Sequence, residues 1–197
     1  MKARNSKASL NLLVHPLTPD CWADLERLFG PRGACAGCWC MWWRLPAATW
    51  RAQRGEGNHR AFREVVRRGP PPGLLAYAEG EPVGWCALAP RAVYVRLATS
   101  RTLQPVDDRP VWSVVCFFVA RTWRGRGVSR ALLEAAKDYA RAAEARCLEG
   151  YPVEPGRRQA DAFVYSGLAS AFRRAGFVEV ARRSPTRPIM RCELAVA

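Results

Sequence analysis

The chain has 197 residues, 49% of them apolar, with 31 Lys plus Arg against 17 Asp plus Glu and a formal charge of +14. That length suits one domain of roughly 100–200 residues, and the apolar share excludes a disordered chain. Neither a collagen-like Gly period nor an apolar run near the roughly 20 residues that span a bilayer is present.

Met1 to Ala8 reads as a basic N-terminal tail and residues 9–197 as a single domain. The apolar stretch Leu10–Val14 is too short for a secretory h-region, so the expected compartment is cytoplasmic. Its alternating Leu10, Leu12 and Val14 predict a first strand. Thr18-Pro19-Asp20 then combines a hydroxyl cap, a proline at the first helical position and an acid in the first turn. The helix it opens presents Trp22, Leu25, Leu28 and Phe29 and stops at Gly30-Pro31.

Gly33 to Arg44 is a loop dense in Cys and Trp. Cys35 and Cys38 have zinc-knuckle spacing that Cys40, Cys21 or His59 could complete, but no second Cys-x-x-Cys follows. That ligand set is incomplete, so no metal is assigned. Cys86 and Cys116 sit inside apolar strand-like runs, as for reduced thiols acting as small hydrophobes.

Ala61, Phe62, Val65 and Val66 give helical spacing within Trp50–Arg68, ended at Gly69. Gly73–Tyr77 and Val83–Leu88 read as a hairpin joined by Glu79–Pro82. Val111–Val119 is a long apolar run with aromatic and β-branched residues, too continuous for an exposed strand, and predicts a central one. Arg124-Gly125-Arg126-Gly127 then opens a helix with Val128, Ala131, Leu132, Ala135, Ala136 and Tyr139 on one face. Cys147–Val153 reads as a strand, Pro155–Gln159 as a basic loop and Leu168–Arg174 as a short helix. Phe177–Ala181 and Ile189–Leu194 read as a closing strand pair. This order predicts a mixed α/β or α+β sheet with a crossover after Val119.

The stretch from Val115 to Ser129 carries the chemistry: a buried strand, a short turn, and Gly125 and Gly127 at a helix start. Bare amides at the positive end of a helix dipole form an anion site, and glycine lets a phosphate approach the backbone. Arg121, Arg124, Arg126 and Arg130 can add charge-assisted contacts.

This stretch resembles the acetyl-CoA signature of the GNAT superfamily of N-acetyltransferases, a long strand followed by Arg/Gln-x-x-Gly-x-Gly/Ala at a helix start. Arg124, Gly127 and Ser129 fill its defined positions, with Ser129 departing from Gly or Ala. Ala171–Phe177 is similar to the family's Leu-Tyr-x-x-x-Gly-Phe ending. The resemblance implies a mixed, mostly antiparallel twisted sheet of about seven strands flanked by helices. It also implies direct transfer of acetyl from acetyl-CoA, as co-substrate, to an amine of a small molecule or peptide. Backbone groups of Phe117, Phe118 and Val119 would pair with the pantetheine arm as with an added strand. Arg124, Gly125, Arg126, Gly127, Val128, Ser129 and Arg130 would hold the phosphates.

An acceptor amine with a pKa near 10.4 must lose a proton before it attacks. Glu149 is the expected base, on the strand after the cofactor helix, with Asp161 as a second candidate. The family often places a tyrosine where this chain has Phe172, which has no proton to give. Tyr165, two helical turns earlier if that segment is helical, is the expected acid, with Tyr151 as another candidate. Trp39, Trp42 and Trp43 would wall an apolar or cation-holding acceptor pocket. The charge of +14 raises a second reading, a nucleic-acid-binding or RNA-modifying protein, but no helix-turn-helix, RNA-binding aromatic motif or zinc pair accompanies it. A third reading is a non-catalytic acyl-CoA sensor of the same fold. The C-terminal strands offer a surface for pairing two copies.

Overall fold

The computed structural model describes residues 11–155 and 164–195. In chain order the elements are β1 (Leu13–Pro16), α1 (Trp22–Phe29), α2 (Ala47–Ala52), α3 (Glu56–Arg68), β2 (Gly73–Ala78), β3 (Glu81–Pro90), α4 (Val95–Ala98), β4 (Trp112–Val119), α5 (Val128–Ala142), β5 (Cys147–Gly150), α6 (Ala169–Arg174), β6 (Val178–Arg182) and β7 (Pro188–Glu193). The strands form one seven-stranded sheet in the order β1-β2-β3-β4-β5-β7-β6, antiparallel except for the β4–β5 pair. No helix among the described residues is long and apolar enough to cross a membrane.

Local chemistry sets these boundaries. Gly30 (φ 64°) and Gly69 (φ 59°) end α1 and α3 in backbone conformations that suit glycine. Glu79 (φ 52°) and Gly80 (φ 79°) both take positive φ, the two-residue turn that matches strand twist, so β2 passes directly into β3. The helix expected over Trp50–Arg68 is divided into α2 and α3, and the break has a tertiary cause. Gly55 N–H donates to the Gly37 carbonyl at 3.0 Å, tying the Cys-Trp loop to the junction. The strand expected to reach Val153 ends at Gly150, and Val153 makes only an isolated parallel bridge to Leu168. The tail Met1–Ala8 lies outside the described residues, as do Asp161 and the loop expected over Pro155–Gln159 from residue 156 onward.

Two apolar clusters occupy the two faces of the sheet. One gathers Leu25, Phe62, Trp85, Tyr94, Val115 and Tyr151 under α1, α3 and the Cys-Trp loop. The other packs Cys86, Val114, Leu132, Phe172 and Met190 under α5 and α6. Leu132 and Leu133 of α5 are fully buried, and burying such a side chain contributes about 2 kcal/mol. A Cβ on Gly84 of β3 would lie 2.5 Å from Val128 Cγ1, so that glycine lets the first turn of α5 seat on the sheet.

Candidate active site

The β4–β5 ladder is short. It holds only Trp112↔Leu148, Ser113↔Glu149 and Val114↔Gly150, whereas β4 continues to Val119. The strands part where β4 is also irregular: opposite β3 its register steps from Val114↔Leu88 to Cys116↔Ala87, leaving Val115 as an extra residue. Such a bulge turns the strand and re-aims the residues after it. Beyond it, the edge of β4 facing β5 has no strand partner among the described residues; Phe117 N–H donates to the Tyr165 carbonyl at 2.5 Å.

The phase of the ladder decides which backbone groups face that opening. Ala120 N–H donates to the Val83 carbonyl at 2.9 Å, which makes that a hydrogen-bonded pair. Bonding alternates along an antiparallel ladder, so Phe118 directs its N–H and C=O to Trp85. Phe117 and Val119 face the opening, and Phe118, expected among the groups free for a ligand, does not. The Val119 carbonyl accepts from Arg124 Nε at 3.1 Å.

The turn into α5 comes directly after the strand. Gly125 (φ 73°) and Gly127 (φ 89°) are left-handed, and a Cβ on either would meet no atom within 4 Å. The glycines therefore serve the backbone path and leave open space above it, a cradle that fits a pyrophosphate. The Arg130 and Ala131 amides turn back to the Gly127 carbonyl, both at 3.0 Å, so the amides ahead of them point outward. Arg126 lies over the Trp123 ring at 5.2 Å, and Val128 packs on Gly84 and leaves its amide to the helix start.

On the opposite side of the opening stands Tyr165. It lies in a turn before α6, packed with the α1–α3 cluster, whereas Phe172 belongs to the α5–α6 cluster. The two residues do not share a helical face as expected, because the helix begins only at Ala169. Burial pushes the Tyr165 hydroxyl up to about 12, so it holds its proton at neutral pH. Trp43 is its aromatic neighbour at 6.4 Å, and Trp42 lies under Arg96 at 3.6 Å. Trp39 is not brought to this place. It packs between Trp22, Phe29 and His59 on the α1–α3 side, and lines a separate recess with Glu26, Arg27, Glu56 and His59.

Phe172 is fully buried against Phe117 and Phe177, at ring separations of 5.9 and 5.0 Å. A Cβ on Gly150 would lie 2.1 Å from its Cε1, so the ring is seated on bare strand backbone.

Glu149, expected to border the cleft as a base, is fully buried on β5. Its Oε1 accepts from Arg91 at 3.0 Å and from the Tyr151 hydroxyl at 2.5 Å, and its Oε2 accepts from Arg191 at 2.7 Å. Arg191 continues to Asp107, and Tyr151 to Ser113 Oγ at 2.8 Å. Arg91 also donates to the carbonyls of Leu103 at 2.6 Å and Leu97 at 3.3 Å. The carboxylate thus fastens the 91–111 segment onto the sheet, and neither of its oxygens is left for a substrate. The parallel strand pair explains the placement, since Glu149 faces Ser113 where the ladder is still closed. Sequence reasoning missed Arg91, Arg191 and Asp107. The available signal was a lone arginine between Met190 and Cys192 in an otherwise apolar strand.

The cysteines of the aromatic loop diverge. Cys35 is exposed, Cys38 is partly buried and Cys40 is buried, where its sulfur accepts from Trp85 Nε1 at 3.1 Å. Burial first, and then the neighbouring Cys40, push the Cys38 thiol up to about 11. Among the described residues no three His, Cys, Asp or Glu side chains gather in a group able to hold a metal ion.

A family model described as the acetyltransferase (GNAT) family matches residues 39–165. Solved structures align over nearly the whole chain. An N-acetyltransferase from Staphylococcus aureus Mu50 is 11% identical, covers 94% of this chain and 99% of its own, and has a TM-score of 0.56. The PaiA N-acetyltransferase from Thermoplasma acidophilum, solved with coenzyme A, is 13% identical over 93% and 99% at a TM-score of 0.52. A GNAT-family acetyltransferase from Streptococcus pneumoniae is 14% identical over 94% and 100%, also at 0.52. No curated protein matches the chain. At these identities the structural likeness is one of fold, and the family match spans more than half of the sequence. The chain belongs to the acetyltransferase (GNAT) family and is an acetyl-CoA-dependent N-acetyltransferase.

Proposed function

We propose that the protein transfers acetyl to an amine of a small molecule or peptide by direct attack on the thioester, at the open edge of β4. One observation carries this reading. The parallel ladder stops at Val114↔Gly150 while β4 runs on into a helix start with two left-handed glycines, giving one continuous path from a strand edge without a strand partner among the described residues to an anion cradle. That the PaiA N-acetyltransferase, of like fold, was solved in complex with coenzyme A supports coenzyme A as the ligand. When bound, acetyl-CoA supplies an activated acetyl group on a thiol that leaves readily.

The Phe117 carbonyl and the Val119 N–H would hold the extended arm as a strand would. The amides of Arg124 to Ser129 and the side chains of Arg126 and Arg130 would hold the phosphates. An amide of the β4 edge would polarise the thioester carbonyl as charge develops.

Tyr165 is assigned to the leaving sulfur. A phenol near 12 facing a thiol near 8.5 would lose about 5 kcal/mol on complete proton transfer. Its role is therefore to donate a hydrogen bond to the thiolate. Glu149 is assigned to positioning, because its oxygens are already taken by Arg91, Arg191 and Tyr151. The amine proton would leave through water.

The test is thermal unfolding with and without acetyl-CoA, followed by thiol release with a panel of amines. Ligand at 100 times its Kd stabilises by about 2.7 kcal/mol, a shift of roughly 5–10 °C at this size. Arg124→Glu should abolish that shift. No shift in the natural protein would refute the site.

A further inference from the structure

The positive charge of this chain is not all directed at a phosphate cradle. Two arginines stand on the other side of the β4 opening, around Tyr165. Arg96 is held from three directions: its backbone N–H donates to the Trp43 carbonyl at 3.3 Å, its Nε to the Leu45 carbonyl at 3.1 Å, and its guanidinium lies 3.6 Å from the Trp42 ring centre. Its Nη2 is buried and has no hydrogen-bond partner. Arg187 donates to the fully buried Ser166 hydroxyl at 3.0 Å, beside Tyr165 in the chain. The charges of both arginines act on the Tyr165 hydroxyl.

The contrast with the other inward-facing arginines is informative. Arg91 and Arg191 are each paired with a carboxylate, whereas among the described residues neither Arg96 nor Arg187 has one. Burial lowers the proton affinity of both guanidiniums, with no carboxylate among the groups acting on either. A cation partly removed from water without a counter-charge is disfavoured, and a ligand that supplies the missing charge offsets that cost.

We infer that the acceptor is an amine that also carries a carboxylate, seated with its carboxylate on Arg96 and Arg187 and its apolar part against Trp42 and Trp43. The amine would then lie by Tyr165 at the β4 edge. Guanidinium forks suit a carboxylate, and an orphan buried donor such as Arg96 Nη2 gains most from a charged acceptor. This inference rests on the transferase reading and narrows it to one substrate class.

Matched acceptors test it: an α-amino acid such as leucine or tryptophan, its carboxamide, the corresponding amine without the carboxylate, and an amine bearing a phosphate. The readout is kcat/KM for thiol release. The carboxylated member should exceed its carboxamide and its decarboxylated partner by at least tenfold. Arg187→Gln and Arg96→Gln should remove most of that preference by raising KM more than they lower kcat, and Arg187→Lys should restore part of it. Melting temperature with saturating coenzyme A checks the fold of each variant. Equal or better turnover of the neutral amines, or a preference unmoved in both variants, would overturn the inference. So would a preference for the phosphate-bearing amine. Coenzyme A binding with turnover of uncarboxylated amines alone sinks this inference and spares the transferase reading, whereas failure to bind coenzyme A sinks both.

Discussion

Replacing Glu149 by Gln separates two roles for a carboxylate on β5. The substitution keeps the shape and removes the charge between a buried and a half-buried guanidinium, at 2.7 Å from Arg191 Nε and 3.0 Å from Arg91 Nη1. Breaking a buried pair by neutralising one partner costs about 3–5 kcal/mol. Here the loss is softened, because Arg191 keeps Asp107 through two bonds and Arg91 keeps the carbonyls of Leu97 and Leu103. The expected cost is near the lower end, about 3 kcal/mol, and at this size it lowers Tm by roughly 6–12 °C. If Glu149 only positions the 91–111 segment, kcat measured well below Tm should stay within about tenfold, with an unchanged pH–rate profile. The assay pairs a thermal melt with kcat across pH. An unaltered Tm together with a fall in kcat of about 100-fold or more would refute the positioning role and make Glu149 the general base.

Three further outcomes are expected. Gly84→Ala should push Val128 and the start of α5 off β3, because the new Cβ would sit 2.5 Å from Val128 Cγ1 and a helical valine has little rotamer freedom. Coenzyme A affinity measured by calorimetry should then fall by about tenfold, with Tm lowered as well. Tyr165→Phe should lower kcat by about tenfold or more and leave coenzyme A affinity nearly unchanged, since a donor that acts on the leaving thiolate contributes mainly in the transition state. All five tyrosines are held above their ordinary value of 10 chiefly by burial, with Tyr165 at about 12. The unfolded chain therefore loses phenolic protons first as pH rises, so stability is intact below pH 10 and falls from 10 towards 12. Phenolate absorbance in an alkaline titration should appear together with loss of the folded circular dichroism signal, rather than before it.

The parts of the site that were legible in the sequence are those made of backbone. Gly125 and Gly127 announce a turn that only their φ values permit, and the apolar run to Val119 announces a strand with no room for a polar face. Both signals are local, and the structure carries both where they were expected. Side-chain roles were less legible because they depend on which strand edge is open, and that is a property of the sheet. Glu149 reads as a base when its strand is imagined at a cleft. In the sheet it lies where β4 and β5 are still paired, two places before Tyr151, and that register fixes its partners as arginines. The same cause turns Phe118 to β3 rather than to the open edge of β4, since the ladder bond at Ala120 sets the direction of the backbone groups back to the bulge at Val115. Arg96 and Arg187 lie 91 positions apart in sequence, and the fold brings the charges of both to act on Tyr165. A charge count registers each arginine alike. What distinguishes these two is desolvation without a carboxylate, and that can be seen only once the chain has closed around them.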